Sequence, residues 1–137
     1  MKLEKFPSEG IYALLLFLEK IKLRVGALGE ISFPRGYYVY IGSAQRNLRK
    51  RIERHFKKEK RKRWHIDYIT PYAEILDVVA VPLSREWEEK TARYLEKRYP
   101  YIRNFGSSDT SALSHLFYSS SPTIWDDVKD FLNLHLK

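Results

Sequence analysis

A chain of 137 residues, 44% hydrophobic and with a formal charge of +8, is long enough for one domain with a buried core and too short for two ordinary ones. It contains no cysteine, which excludes a disulfide framework and a thiolate zinc site and leads us to expect a cytoplasmic protein. The apolar run over residues 11–18 is bounded by Glu9 and Glu19; it lacks a cleavage pattern and is far shorter than a membrane span, so neither a signal peptide nor a membrane partner is expected.

Taken in chain order, residues 10–18 are rich in Leu, Ile and Tyr and predict a buried strand. Residues 21–25 and 30–33 predict a short hairpin around Gly26-Ala27-Leu28-Gly29. Pro34-Arg35-Gly36 reads as a turn, followed by a strand over 37–41 that Gly42 ends. A helix is expected over 47–58 and another over 60–70, stopped before Pro71. Residues 74–81 predict a third core strand closed by Pro82, and Ser84 an N-cap for a helix reaching about Tyr99. A polar loop over 104–110, a short strand over 113–118 and an amphipathic helix over 123–136 complete the chain. The expected architecture is one α/β domain over residues 1–137. It has a small, mainly antiparallel three-stranded sheet flanked by helices, with an extra hairpin and a C-terminal helix. A monomer is the simpler expectation.

The charge is local. Between Arg46 and Arg63 there are eleven Lys or Arg against two Glu, while the rest of the chain nets −1. A patch of this kind is what binding to a phosphate backbone rewards, although a solvated helix face or an acidic protein partner would use the same composition. On the first predicted helix Leu48, Ile52 and Phe56 form the core stripe, with Arg51 and His55 stacked four apart along its margin. Arg46, Arg49, Lys50, Arg54, Lys57 and Lys58 spread over the remaining surface, continued by Arg61 and Arg63. On the next helix Glu88 falls inside the apolar arc of Trp87, Thr91, Ala92, Tyr94 and Leu95, while Glu86 and Glu89 point outward. An inward carboxylate needs a cation, either a neighbouring Arg or a hard divalent metal. Tyr37, Tyr38, Trp64 and Trp87 could serve base stacking or core packing.

Gly10-Ile11-Tyr12, then Tyr40-Ile41-Gly42 and a helix carrying Arg51 and His55, with Glu88 downstream, resemble the signature of the GIY-YIG nuclease superfamily. A closer resemblance, to its small prokaryotic Uri-type branch (the DUF123 family), rests on four segments. They are the stretch from Arg35 to Ala44, Trp64-His65-Ile66-Asp67-Tyr68, Phe105-Gly106-Ser107-Ser108-Asp109 and Ser114-His115-Leu116-Phe117-Tyr118. The resemblance implies a nuclease core over about residues 10–99 and a branch-specific extension over about 100–137. It also implies an endonuclease that hydrolyses phosphodiester bonds with one divalent ion, Mg²⁺ or Mn²⁺. Glu88 would bind the ion, which would polarise the scissile phosphate and stabilise the leaving oxygen. Arg51 would neutralise charge on the phosphoryl oxygens. Tyr12 and Tyr40 would position or deprotonate the attacking water, helped by His55 or by the ion; a phenol with an unperturbed pKa of about 10 would need nearby positive charge to act as a base. The nucleic-acid contacts would come from Ser43 and the basic segment. Gly42, His65, Asp67, Ser107, Ser108, Asp109 and His115 would support Glu88 or position substrate if they fold beside it. Members of the branch often carry cysteines shortly after the Gly-Ser-Ser-Asp segment, where this chain has Thr110 and Ala112. The expected substrate is DNA, recognised by shape, single-strandedness or lesions rather than by a long sequence. The alternatives are a nuclease acting on RNA and a non-catalytic nucleic-acid-binding module.

Overall fold

The computed structural model describes residues 2–107 and 110–136. Strand β1 (Gly10–Leu18) is buried along nearly its whole length, as expected of a strand flanked on both sides and covered on both faces. It pairs antiparallel with β4 (Gly36–Ala44), placing Tyr12 opposite Gly42, and on its other side with β5 (Glu74–Val81). These are the three strands the sequence predicts. A fourth, β6 (Leu116–Ser119), joins the free side of β4, so the sheet has the order β5-β1-β4-β6 rather than three strands. Strands β2 (Ile21–Arg24) and β3 (Glu30–Phe33) form the separate hairpin.

Strand alternation divides the core in two. Tyr12, Leu14, Leu16, Tyr38 and Tyr40 face Leu48 and Ile52 of α1 (Leu48–His55). Ile11, Ala13, Val39 and Ile41 face α2 (Glu86–Glu96) and α3 (Thr123–Leu134) through Ala92, Leu95, Ile124, Val128 and Leu132. Helix α1 is shorter than its sequence pattern suggests and leaves Phe56 39% exposed. The Lys60 ammonium explains the stop: it folds back to donate to the carbonyls of Arg54, His55 and Lys57 at the helix end, where a cation is favoured. The helix expected over 60–70 is a single 3₁₀ turn, His65–Tyr68. Its start is fixed by the Asp67 carboxylate, which accepts from the backbone N–H groups of Arg63 and Trp64. Helix α2 begins after Arg85 rather than Ser84 and ends at Glu96.

Gly42 does not end its strand; β4 continues to Ala44. What it supplies is space. A Cβ at this position would stand 2.5 Å from Cζ of Tyr12 and 2.6 Å from its hydroxyl, and the Tyr12 ring is fully buried. Gly42→Ala is therefore expected to destabilise the protein by about 2–3 kcal/mol through overpacking, read as a lowered urea midpoint. In a Tyr12→Ala background the same substitution should be far less harmful, because the colliding ring is gone. Equal costs in both backgrounds would refute the steric explanation.

Candidate active site

Antiparallel pairing brings the start of β1 and the ends of β4 and β5 to the same edge, with Gly10 opposite Ala44 and Ile11 opposite Val81. Helix α1 leaves this edge on one face of the sheet and α2 on the other. Arg51 and Glu88 consequently meet at the end of β4, and both bind Ser43. The Ser43 hydroxyl donates to Glu88 Oε1 at 2.8 Å, and Arg51 Nη1 donates to the Ser43 carbonyl at 3.1 Å. Between them opens a cleft of about 460 Å³ lined by Tyr40, Gly42, Ser43, Ala44, Gln45, Arg51, Arg63, Trp64, His65, Arg85, Glu88 and Gly106.

Glu88 is the cleft's only carboxylate among the described residues. It lies in the first turn of α2, where the helix dipole favours negative charge. Burial alone would raise its pKa, but the His115 ring, the Ser43 hydroxyl and the Arg85 charge outweigh burial and hold it below the ordinary carboxylate value. His115 is 1% exposed. Its Nδ1 stands 3.5 Å from Glu88 Oε2, too far for a normal hydrogen bond, and has no other partner among the described residues. The donor set suits a hard cation that keeps water and takes substrate oxygens, since Mg²⁺ is commonly held by one or two carboxylates. It does not suit an all-protein cage, because no group of three His, Cys, Asp or Glu suited to a metal occurs among the described residues.

The two tyrosines separate. Tyr12 is fully buried under Gly42, with its hydroxyl 2.6 Å from His55 Nε2. Tyr40 is 8% exposed and reaches the cleft. Burial pushes both phenols above their ordinary pKa, and the nearby Arg51 charge only partly offsets it. Both are therefore neutral hydrogen-bonding groups at pH 7. His55, also buried, is lowered to about 3 by desolvation and by the Lys60 charge. It lies below the cleft rather than in its lining.

This depressed value has a measurable consequence. Between the unfolded pKa of about 6.5 and the folded value, the unfolded chain binds a proton that the native ring refuses, so stability falls as pH falls. From pH 7 to pH 5 the wild type is expected to lose roughly 2 kcal/mol more than His55→Gln, measured by urea unfolding at each pH. Parallel pH profiles would show that His55 is not held neutral.

Much of the basic segment is bound to the protein itself. Arg54 donates to both Asp67 oxygens, at 2.8 and 2.9 Å, and to the Arg61 carbonyl. Arg49 donates to the Phe6 carbonyl, and Lys58 to those of Thr70 and Ala73. Arg46, Lys50, Lys57, Arg61 and Arg63 are exposed. Trp64 gathers three guanidinium groups over its ring, those of Arg51, Arg54 and Arg63 at 4.4, 4.6 and 5.4 Å from its centroid. This is cation–π geometry that holds Arg51 at the cleft wall. Trp87 stacks on His135, and Tyr38 is buried with its hydroxyl on the Pro34 carbonyl, so both serve packing.

Of the remaining sequence-predicted residues, Asp67 is buried and fixes the start of the 3₁₀ turn after Trp64 rather than entering the cleft. Ser107 is buried, with its carbonyl accepting from the Thr110 backbone. Ser108 and Asp109 lie outside the described residues. His65 lines the cleft, and the Gly106 N–H donates to its Nδ1 at 2.8 Å. Gln45, Arg85 and Gly106 were not singled out by sequence reading as site residues. Arg85 had a usable signal, a position three residues before Glu88 at the helix start, whereas Gln45 and Gly106 become neighbours of the site only through tertiary packing.

No helix among the described residues is long and apolar enough to cross a membrane. No curated protein and no solved structure matches the chain significantly. A family model does match over residues 11–135, thereby including every residue of the cleft. The chain belongs to the family described as Domain of unknown function DUF123.

Proposed function

We propose that this protein is a divalent-metal-dependent endonuclease of GIY-YIG type that hydrolyses phosphodiester bonds in DNA. The observation that carries the reading is the meeting of Arg51 and Glu88, from opposite faces of the sheet, on the two sides of Ser43. Glu88 would hold Mg²⁺ or Mn²⁺, with Ser43 orienting its carboxylate. When bound, the ion would supply Lewis-acid stabilisation of charge on the phosphodiester. The chain's own groups account for the rest. The Arg51 guanidinium, stacked on Trp64, offers a planar fork of donors to the phosphoryl oxygens. The neutral Tyr40 hydroxyl would orient the attacking water, with Tyr12 and His55 packed beside its ring. The remaining exposed cations would track the strand on either side of the cleft.

The test is cleavage of single-stranded, branched, lesion-containing and plain duplex DNA with Mg²⁺ or Mn²⁺, with RNA run in parallel. Wild type is expected to cut DNA and Glu88→Ala to bind without cutting. Binding with no cleavage by the wild type in any condition would replace the nuclease by a nucleic-acid-binding module, and cleavage of RNA alone would change the substrate.

The hydrogen bonds of the basic segment add a second expectation. Neutralising exposed Lys50 or Lys57 should reduce the salt dependence of DNA binding by about one phosphate contact each. Lys58→Met should also lower stability, since its ammonium holds two backbone carbonyls, and should change that slope less than neutralising Lys57 does. An equal slope change for Lys57 and Lys58 would contradict this division.

A further inference from the structure

Among the described residues the cleft is lined by one imidazole, and it is not the one on α1. His65 opens the 3₁₀ turn after Trp64. The Gly106 N–H donates to its Nδ1 at 2.8 Å, so the lone pair on Nδ1 is occupied and the ring proton sits on Nε2. Gly106 is itself confined. Its φ is +69°, a conformation favoured by glycine, and an added Cβ would lie 3.5 Å from His115 Cβ and 3.6 Å from Tyr40 Cε1. The other side of the imidazole is packed near Phe105, with ring centroids 5.5 Å apart. Backbone and aromatic ring together fix the orientation of the side chain.

Nε2 is left over. It makes no hydrogen bond within the described residues and is not among the buried polar atoms that lack a partner, so this N–H remains open to the half-buried mouth of the cleft. Its neighbours there, Arg51 and Arg63, favour an anion. Acid–base chemistry is a poor use of such a ring. Giving up the Nε2 proton would create an imidazolate, and protonating Nδ1 would turn it against the Gly106 N–H. Burial lowers the ring's pKa as well, favouring the neutral form. What is left is donation without proton transfer.

We propose that His65, through its Nε2–H, donates a hydrogen bond to a non-bridging oxygen of the phosphodiester held in this cleft, as a neutral substrate-contacting residue beside Arg51. The proposal rests on the reading of the cleft as a phosphodiester site. It gives a shared purpose to two segments distant in sequence, since Trp64-His65 supplies the donor and Phe105-Gly106 sets its tautomer.

The test uses the full chain with ¹⁵N-labelled histidine and a short single-stranded DNA oligonucleotide in metal-free buffer, where binding can be followed without cleavage. The free protein is expected to show the Nε2–H tautomer of His65, and the Nε2 resonance should shift as oligonucleotide is added. His65→Ala should weaken binding about tenfold, the equivalent of one hydrogen bond to a charged acceptor, compared at a temperature where both proteins are fully folded, since the substitution also removes the acceptor of the Gly106 N–H. His65→Gln, which can place an amide N–H near the former Nε2, should recover most of the loss. An Nδ1–H tautomer, an Nε2 resonance unmoved at saturation, or wild-type affinity in His65→Ala would each overturn the proposal. Mg²⁺ added afterwards separates it from the functional reading. An Nε2 shift with no cleavage of this or any of the other DNA forms keeps the His65 contact and removes the nuclease. Cleavage with an unmoved Nε2 and an unimpaired His65→Ala removes the contact and keeps the nuclease. An oligonucleotide that does not bind removes the contact and leaves the nuclease to the cleavage test on the other DNA forms.

Discussion

Arg51→Ala is expected to slow DNA cleavage by roughly 10²–10³-fold, the usual loss when one pre-positioned donor to a developing anion is removed. The size follows from how the side chain is held. Its guanidinium stacks 4.4 Å from the Trp64 centroid and donates to a backbone carbonyl, that of Ser43, rather than to a carboxylate. The charge is thus fixed in place without being neutralised by its strongest contacts. Arg51→Lys should recover little, because an ammonium has neither the fork nor the flat face that stacks on Trp64. Glu88→Ala is expected to abolish measurable cleavage, since it removes the only carboxylate of the cleft among the described residues. Single-turnover rates at saturating enzyme measure this. Arg51→Ala within twofold of wild type would remove Arg51 from the chemistry, and measurable cleavage by Glu88→Ala would remove Glu88 from its metal role.

What could be read from the sequence was what local spacing encodes. The apolar run of β1, the hairpin, the apolar stretch of β5 closed by Pro82 and the helical periods of α1, α2 and α3 are properties of neighbouring residues. The inward direction of Glu88 came from the same wheel, and the Ser43 contact is its structural counterpart. The errors fall where a distant partner decides. Nothing near Leu116 indicates that the segment adds to β4 as a fourth strand. The 60–70 stretch has apolar residues at helical spacing, yet the Asp67 carboxylate captures the Arg63 and Trp64 amides and restricts it to one turn. Gly42 reads as a strand breaker until the Tyr12 ring is found beneath it. The charge run gave its total correctly but not its division, because whether a lysine faces water or a backbone carbonyl depends on how the chain returns. Lys58 and Lys60 illustrate this, both donating to carbonyls that a linear reading could not place.

Asp67→Ala is expected to destabilise the fold by about 3–5 kcal/mol, the range found when one member of a buried ion pair is deleted. The Asp67 side chain is fully buried and its partner Arg54 is only 21% exposed. Removing the carboxylate leaves that guanidinium without its countercharge and also orphans the amides of Arg63 and Trp64. Asp67→Asn should cost less, since its amide carbonyl can still accept one of those bonds. The pH dependence has a definite sign. Burial would raise the Asp67 pKa, but the Arg54 contact and the two backbone donors prevail and lower it. Its stabilising contribution is therefore complete above the unfolded value of about 3.9 and is lost as pH falls through the lower folded value. That window overlaps only the acid end of the one in which His55 acts, so the two are separated by substituting each residue in a single series of unfolding curves from pH 7 to pH 3. Asp67→Asn should remove the Asp67 share of the loss at the acid end and leave the His55 component intact. The same substitution reaches the cleft without touching substrate: it weakens the contacts that hold Arg54 and the Trp64 backbone, and with them the face on which Arg51 stacks. Cleavage should fall in Asp67→Asn even at temperatures where the variant is fully folded, accompanied by altered tryptophan emission. A folded Asp67→Asn with wild-type cleavage would show that Arg51 is positioned by Ser43 alone.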